Sequence, residues 1–142
     1  MEASELLIEK LKAFEGLRTA AYHDAAGVLT IGYGHIGKDV REGDRITPYW
    51  AEQLLLLDLK TFEVAVRRLN VARTQGQFDA LVSLAFNIGV GRLNRSALLK
   101  VIREGGSKAA ITREFKRWVY ADGKRLKGLE LRREWEARRF FE

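Results

Sequence analysis

Five glycines between residues 27 and 43 (at 27, 32, 34, 37 and 43) constrain this chain more than any other feature. So many helix-breaking residues, set among Val28, Thr30, Ile31 and Tyr33, form turns and short strands rather than helix. Asp24 and Gly27 bracket a hairpin turn. No helical stretch separates the strands, so they pair antiparallel rather than through a crossover.

Helical patterns flank this section on both sides. Leu7, Leu11 and Phe14 share one face of a first helix at about residues 3–14, with Ser4 as its N-cap and Gly16 as its stop. Thr47 and Pro48 open a long helix at about residues 48–70, with Leu55, Leu59, Phe62, Val66 and Leu69 along one side. Thr74 and Gln77 match a capping box. The helix it opens, about residues 75–88, is apolar nearly all round and belongs at the centre of a core. Further helices are expected at about 94–103, 107–119 and 129–140, with Trp50, Trp118 and Trp135 as core or partly buried packing rather than a sugar platform. The fold class is therefore α+β and mainly helical. A β-rich section at about 16–47 and the connecting helix precede a helical remainder, 71–142, with which helix 3–14 is grouped.

At 142 residues this is one domain's worth of chain. With no cysteine there is no disulfide scaffold and no thiolate metal site. The net charge is +6, and its distribution is uneven. Residues 1–99 carry 12 basic and 12 acidic side chains, whereas residues 100–142 carry 13 and 7. A basic end favours an anionic polymer or surface, or is a solvated helix face. Zinc-finger and helix-turn-helix signatures are missing, so nucleic acid is not an expected partner. The N-terminal stretch lacks the basic and apolar regions of a signal peptide, and no apolar run is long enough to span a membrane. Synthesis in the cytoplasm is expected.

Glu15, Asp24 and Thr30 are the residues with chemical potential. A carboxyl ending a helix meets the negative end of the dipole, and Phe14 beside it can exclude water; both effects raise its pKa. An aspartate in a turn rich in N–H groups stays ionised. Two carboxyls in unlike settings are what glycosidic acid/base hydrolysis needs. Each residue also has a plain structural reading, as helix end, turn and strand.

The chain resembles the phage-type lysozymes, glycoside hydrolase family 24, T-even and lambdoid. The resemblance runs through Phe14-Glu15-Gly16, Tyr22-His23-Asp24 and Gly27-Val28-Leu29-Thr30-Ile31-Gly32-Tyr33-Gly34-His35. It continues through Gln77-Phe78-Asp79-Ala80-Leu81, Phe86-Asn87-Ile88-Gly89-Val90-Gly91 and Ser96-Ala97-Leu98-Leu99. It ends with Trp118 and Gly128-Leu129-Glu130-Leu131-Arg132-Arg133. The family's Glu, Asp and Thr correspond to Glu15, Asp24 and Thr30, with spacing intact. The resemblance implies a lysozyme-like fold of two lobes with a cleft between them. The implied activity is hydrolysis of the β-1,4 bond from N-acetylmuramic acid to N-acetylglucosamine in peptidoglycan.

On that resemblance Glu15 is the general acid. Asp24 orients or deprotonates water on the opposite sugar face, and Thr30 helps hold that water. The inverting arrangement it implies would set the carboxyls about 6.5–9.5 Å apart. Ile36, Phe86, Ser96 and Thr112 match sugar-contacting positions, although Thr112 replaces an amide and Phe86 can equally be core. His35 is implied as a scaffold residue. Arg125 falls where a base pairs with the catalytic Glu, with Lys124 and Lys127 as alternatives; such a pair would lower the Glu15 pKa, against the shift argued above. No metal or cofactor is implied. A monomer acting on peptidoglycan, with its basic end toward an anionic outer-membrane surface, is the implied partner set, reached through a holin-type pore. Two other readings stay open: a lytic transglycosylase on the same bond, and a cationic wall-binding protein that cuts nothing.

Overall fold

In a computed structural model describing residues 1–142, helix α1 (Glu5–Glu15) leads into strands β1 (Arg18–His23), β2 (Leu29–Gly32) and β3 (His35–Ile36). Helix α2 (Pro48–Leu69) follows, then α3 (Gln75–Ile88), α4 (Val90–Asn94), α5 (Ala97–Arg103) and α6 (Lys108–Phe115). A hairpin of β4 (Tyr120–Ala121) and β5 (Lys124–Arg125) precedes α7 (Lys127–Phe140). The class is α+β and mainly helical, as the glycine pattern and helical periods imply.

The chain divides into two compact units: Glu5–Thr61, and Met1–Ser4 with Phe62–Glu142. The first holds α1 and the three strands, a grouping that differs from the sequence reading, where the first helix went with the helical remainder. Lys12 of α1 is tied within this unit to Glu52 of α2 at 2.5 Å. Its strands run β1-β2-β3, all antiparallel. The register changes from Arg18 opposite Gly32 to Tyr22 opposite Thr30, so β1 carries an irregularity. The loop after Val40 returns along β1, where Ala21 N–H donates to Asp44 and Ile46 N–H to Thr19. On α2 the buried stripe is Ala51, Leu55 and Leu59. Trp50 lies one residue off that stripe and is 59% exposed, so it is no core residue; Trp135 is buried and Trp118 half-buried.

In the second unit α3 is the centre. Phe78 and residues 80–82, 84 and 85 are almost wholly buried, in keeping with an all-round apolar helix. Thr74 accepts from Gln77 N–H at 3.1 Å and starts the helix. A Cβ at Gly76 would sit 2.3 Å from the Arg139 carbonyl oxygen, so only glycine allows α7 to approach this closely. The helix expected over 94–103 is α5, started at Ala97 by Ser96, and a short helix that was not expected, α4, precedes it after Gly89 (φ 96°, ψ 151°) turns the chain. The helix expected to run to 119 ends at Phe115, and the β4–β5 hairpin follows, turned by Asp122 (φ 50°) and Gly123 (φ 75°).

Charge is buried here as well. Glu136 and Arg133 are fully buried and Arg132 is 4% exposed. Glu136 accepts from the Ser83 hydroxyl at 2.5 Å and from Arg132 Nε at 3.4 Å. Arg133 Nε lies 2.8 Å from the other carboxylate oxygen, near enough for charge pairing but off the hydrogen-bonding direction. Arg133 also donates to Asn87 at 2.8 Å, and Arg132 to the Ser83 carbonyl at 3.0 Å. Burial pushes the Glu136 carboxyl up and the Arg133 guanidinium down, and their mutual attraction opposes both shifts. Two of the arginines counted in the basic end of the chain are therefore core residues.

Candidate active site

Glu15 is the last residue of α1 and half-buried. The tight turn after β2 comes close to its carboxylate: a Cβ on Gly34, whose φ is 83°, would lie 3.1 Å from Glu15 Oε1. Glycine at this position leaves room for the carboxyl and supplies a left-handed backbone that other residues adopt with strain.

Asp24 opens the β1–β2 turn, and the turn holds it. Its Oδ1 accepts from the N–H groups of Ala26 (2.9 Å) and Val28 (2.8 Å), and its own N–H donates to the Val28 carbonyl at 2.9 Å. Both backbone donors go to one carboxylate oxygen, so Oδ2 is left for something outside the turn. Thr30, 3% exposed on β2, donates its hydroxyl to the same Val28 carbonyl at 2.8 Å. With its proton committed there, the Thr30 oxygen offers lone pairs that can accept from a water. Asp24 and Thr30 thus converge on one residue between them.

His35 ties β3 to α2 and to the following loop. Its Nδ1 meets Asp58 at 2.8 Å and its Nε2 meets Asp39 at 2.9 Å. Burial alone pushes this imidazole down, but the two carboxylates overcome it and the net is a raised pKa. Asp39, hydrogen-bonded to His35, is lowered in turn. Exposed His23, next to Asp24, pairs with Glu42 and lies 3.3 Å from the Gly27 carbonyl; the Glu42 bond raises its pKa. No set of three or more His, Asp or Glu side chains is disposed to hold a metal ion. Ile36 is 54% exposed on β3, open to a ligand. Glu15, Asp24, Thr30, His35 and Ile36 all belong to the unit Glu5–Thr61.

Phe86, Ser96, Thr112 and Arg125 belong to the other unit. Phe86 is half-buried, edge-on to Phe62 with centroids 5.1 Å apart. Ser96 is 8% exposed and its hydroxyl is engaged twice, accepting from Leu99 N–H and donating to the Leu93 carbonyl. Its evident role is to cap α5. Thr112 is half-buried on α6 between Lys108 and Lys116 and lines a depression that Arg138 also borders. Arg125 has Glu130 as its carboxylate partner at 2.5 Å, with Lys127 at 3.9 Å from the same group. Sequence reading missed the arginines of a pocket formed by α4, α6 and the segments after them; their spacing carries no motif.

Known proteins share this fold. The family model described as phage lysozyme matches residues 12–136. The endolysin of Bacillus phage B103 is 44% identical over 139 residues, covering 96% of this chain and 52% of the relative. The chain thus spans about half the length of the Bacillus phage relatives it matches. Among solved structures, the endolysin from Escherichia coli O157:H7 phage FAHEc1 superposes with a TM-score of 0.87 at 37% identity, covering 100% of this chain and 94% of that one. The muramidase domain of SpmX from Asticaccaulis excentricus does so at 0.90 and 36% identity, covering 99% and 98%. With the model match extending over most of its length, and the lysozyme-like fold shared with these proteins, this chain belongs to the phage lysozyme family.

Proposed function

We propose that this chain is a peptidoglycan-degrading muramidase that hydrolyses the β-1,4 bond from N-acetylmuramic acid to N-acetylglucosamine, and that its biological outcome is bacterial lysis. Glu15 protonates the leaving glycosidic oxygen. Asp24 orients or deprotonates the attacking water, which Thr30 helps to hold. The observation that carries this reading is the convergence of Asp24 and Thr30 on Val28. It leaves one carboxylate oxygen and one hydroxyl oxygen unspent, as a water-holding pair requires. Family membership and the muramidase and endolysin names of the relatives support the choice of substrate.

The remaining assignments follow the same line. His35 braces the turn next to Glu15, and Ile36, Phe86, Ser96 and Thr112 are proposed to contact the glycan, Ser96 through its backbone or Cβ because its hydroxyl is taken. Arg125 supports the start of α7 through Glu130. A monomer released to the wall through a pore made by a separate protein is the mode of action we infer. No helix of the chain is long and apolar enough to cross a membrane.

The test is digestion of purified peptidoglycan by the wild type and by Glu15→Gln, counting new reducing ends. Release of reducing ends by the wild type alone is expected. Soluble products without new reducing ends would replace hydrolysis of this bond with transglycosylation or with a cut elsewhere in the polymer. Wall binding without any cleavage would leave a cationic binder in place of the enzyme.

A further inference from the structure

A pocket of about 360 Å³ lies wholly within the unit built on α3, lined by Arg92, Arg95, Ser96, Glu114, Arg117 and Trp118. Its volume is at the lower end of the range for sites that take small ligands. Three guanidiniums meet here against one carboxylate. Glu114 is engaged by Arg117, whose Nη1 lies 3.0 and 3.4 Å from its two oxygens. Arg92 and Arg95 have no carboxylate within ion-pairing distance. The pocket thus carries an excess of two positive charges on forked donors that match carboxylate geometry. The Ser96 hydroxyl is committed to its helix cap and adds no competing acceptor. Trp118, half-buried, gives the pocket an apolar wall beside the guanidiniums.

We propose that this pocket binds a short acidic peptide through a free carboxylate, held by Arg92 and Arg95 with its aliphatic part against Trp118. The peptide stems of peptidoglycan carry such groups, so the pocket would make the chain selective for walls whose stem carboxylates are free rather than amidated. The naming of the peptide rests on the proposed muramidase reading, whereas the carboxylate preference rests on the pocket alone. Neutralising the two unpaired arginines removes the charge that a carboxylate would answer, and an amide offers no charge for a guanidinium fork.

Two probes separate these points: the tripeptide L-Ala-γ-D-Glu-L-Lys with its C-terminal carboxyl amidated, and the same peptide with its D-Glu α-carboxyl amidated as well. Binding is followed by tryptophan fluorescence in the Glu15→Gln protein, so that hydrolysis plays no part, and Trp118→Phe assigns the signal. The free-carboxylate peptide is expected to bind at least about tenfold more tightly than the amidated one, and less tightly as salt rises. The Arg92→Gln/Arg95→Gln pair is expected to lose about tenfold or more, and Arg103→Gln, whose side chain lies outside the pocket, to lose nothing. Equal affinity for the two peptides, or wild-type affinity in the double variant, would overturn the proposal. So would inorganic phosphate competing as well as the free tripeptide does. Normal binding with no hydrolysis by the wild type would count against the muramidase reading and leave the pocket assignment standing. Normal hydrolysis with no binding would do the reverse.

Discussion

Replacing Glu136 by Gln tests how this chain tolerates charge in its core. Glutamine keeps the shape and can still accept from Ser83, so little volume is lost. What disappears is a negative charge within 3.4 Å of both Arg132 and Arg133, two guanidiniums 4% and 0% exposed. Removing one partner of a buried pair typically costs about 3–5 kcal/mol, because the remaining charge stays desolvated and uncompensated. Here Arg133, wholly buried, loses the carboxylate it is paired with, so that range applies. For a chain of this length each kcal/mol lowers Tm by roughly 3–4 °C, so Glu136→Gln is expected to melt roughly 10–20 °C below wild type in a far-UV circular dichroism scan. A companion variant sharpens the argument. Arg132→Met, Arg133→Met, Glu136→Leu and Ser83→Ala together remove the charges and the hydroxyl, and are expected to melt above the single variant despite four changes. A single-variant shift of under about 3 °C, or a quadruple variant that melts lower still, would refute the claim that uncompensated charge is the penalty.

Two further outcomes follow from the β-rich unit. His35 has a folded-state pKa raised by Asp58 and Asp39, so its contribution is complete below the ordinary histidine value and fades as pH climbs through the raised one. Asp58→Asn should therefore cost about 1–2 kcal/mol at pH 6 and much less at pH 9, read as two melting curves; an equal loss at both would exclude the charged pair. Exposed His23 titrates in the same direction, which is why the variant and not wild type alone must be scanned. Gly34→Ala and Gly43→Ala meet nearly equal left-handed strain at φ 83° and 82°, but only the first brings a Cβ within 3.1 Å of Glu15. Peptidoglycan hydrolysis is expected to fall at least about tenfold in the first and stay near wild type in the second; similar rates would separate Glu15 placement from that turn.

Which features the sequence revealed depends on how far apart the interacting residues lie along the chain. Asp24, Val28 and Thr30 fall within seven consecutive residues, and their turn, strand and hydrogen bonds are written in local residue choice. The same holds for Thr74 capping α3 through Gln77, where the returning Gln77 side chain reaches the Arg73 N–H at 2.7 Å and not that of the cap itself. Short-range signals were also present where the reading overshot. Asp122-Gly123 is a two-residue hairpin turn in its own right, and only the shortness of its strands hid it.

The buried ion cluster shows the opposite case. Ser83 and Glu136 are 53 positions apart, and Arg133 reaches Asn87 across 46. Nothing local distinguishes Arg132 and Arg133 from the exposed Arg138 on the same helix, so a charge count assigns all three to the surface. The converse error concerns Trp50, where residue type argues for burial and only its phase against Ala51, Leu55 and Leu59 places it outside. Helical phase corrects the second error from sequence alone. The first needs the partner helix, because α3 presents its polar Ser83 on a turn that is otherwise apolar, and that single hydroxyl marks where α7 must bring its charge inward.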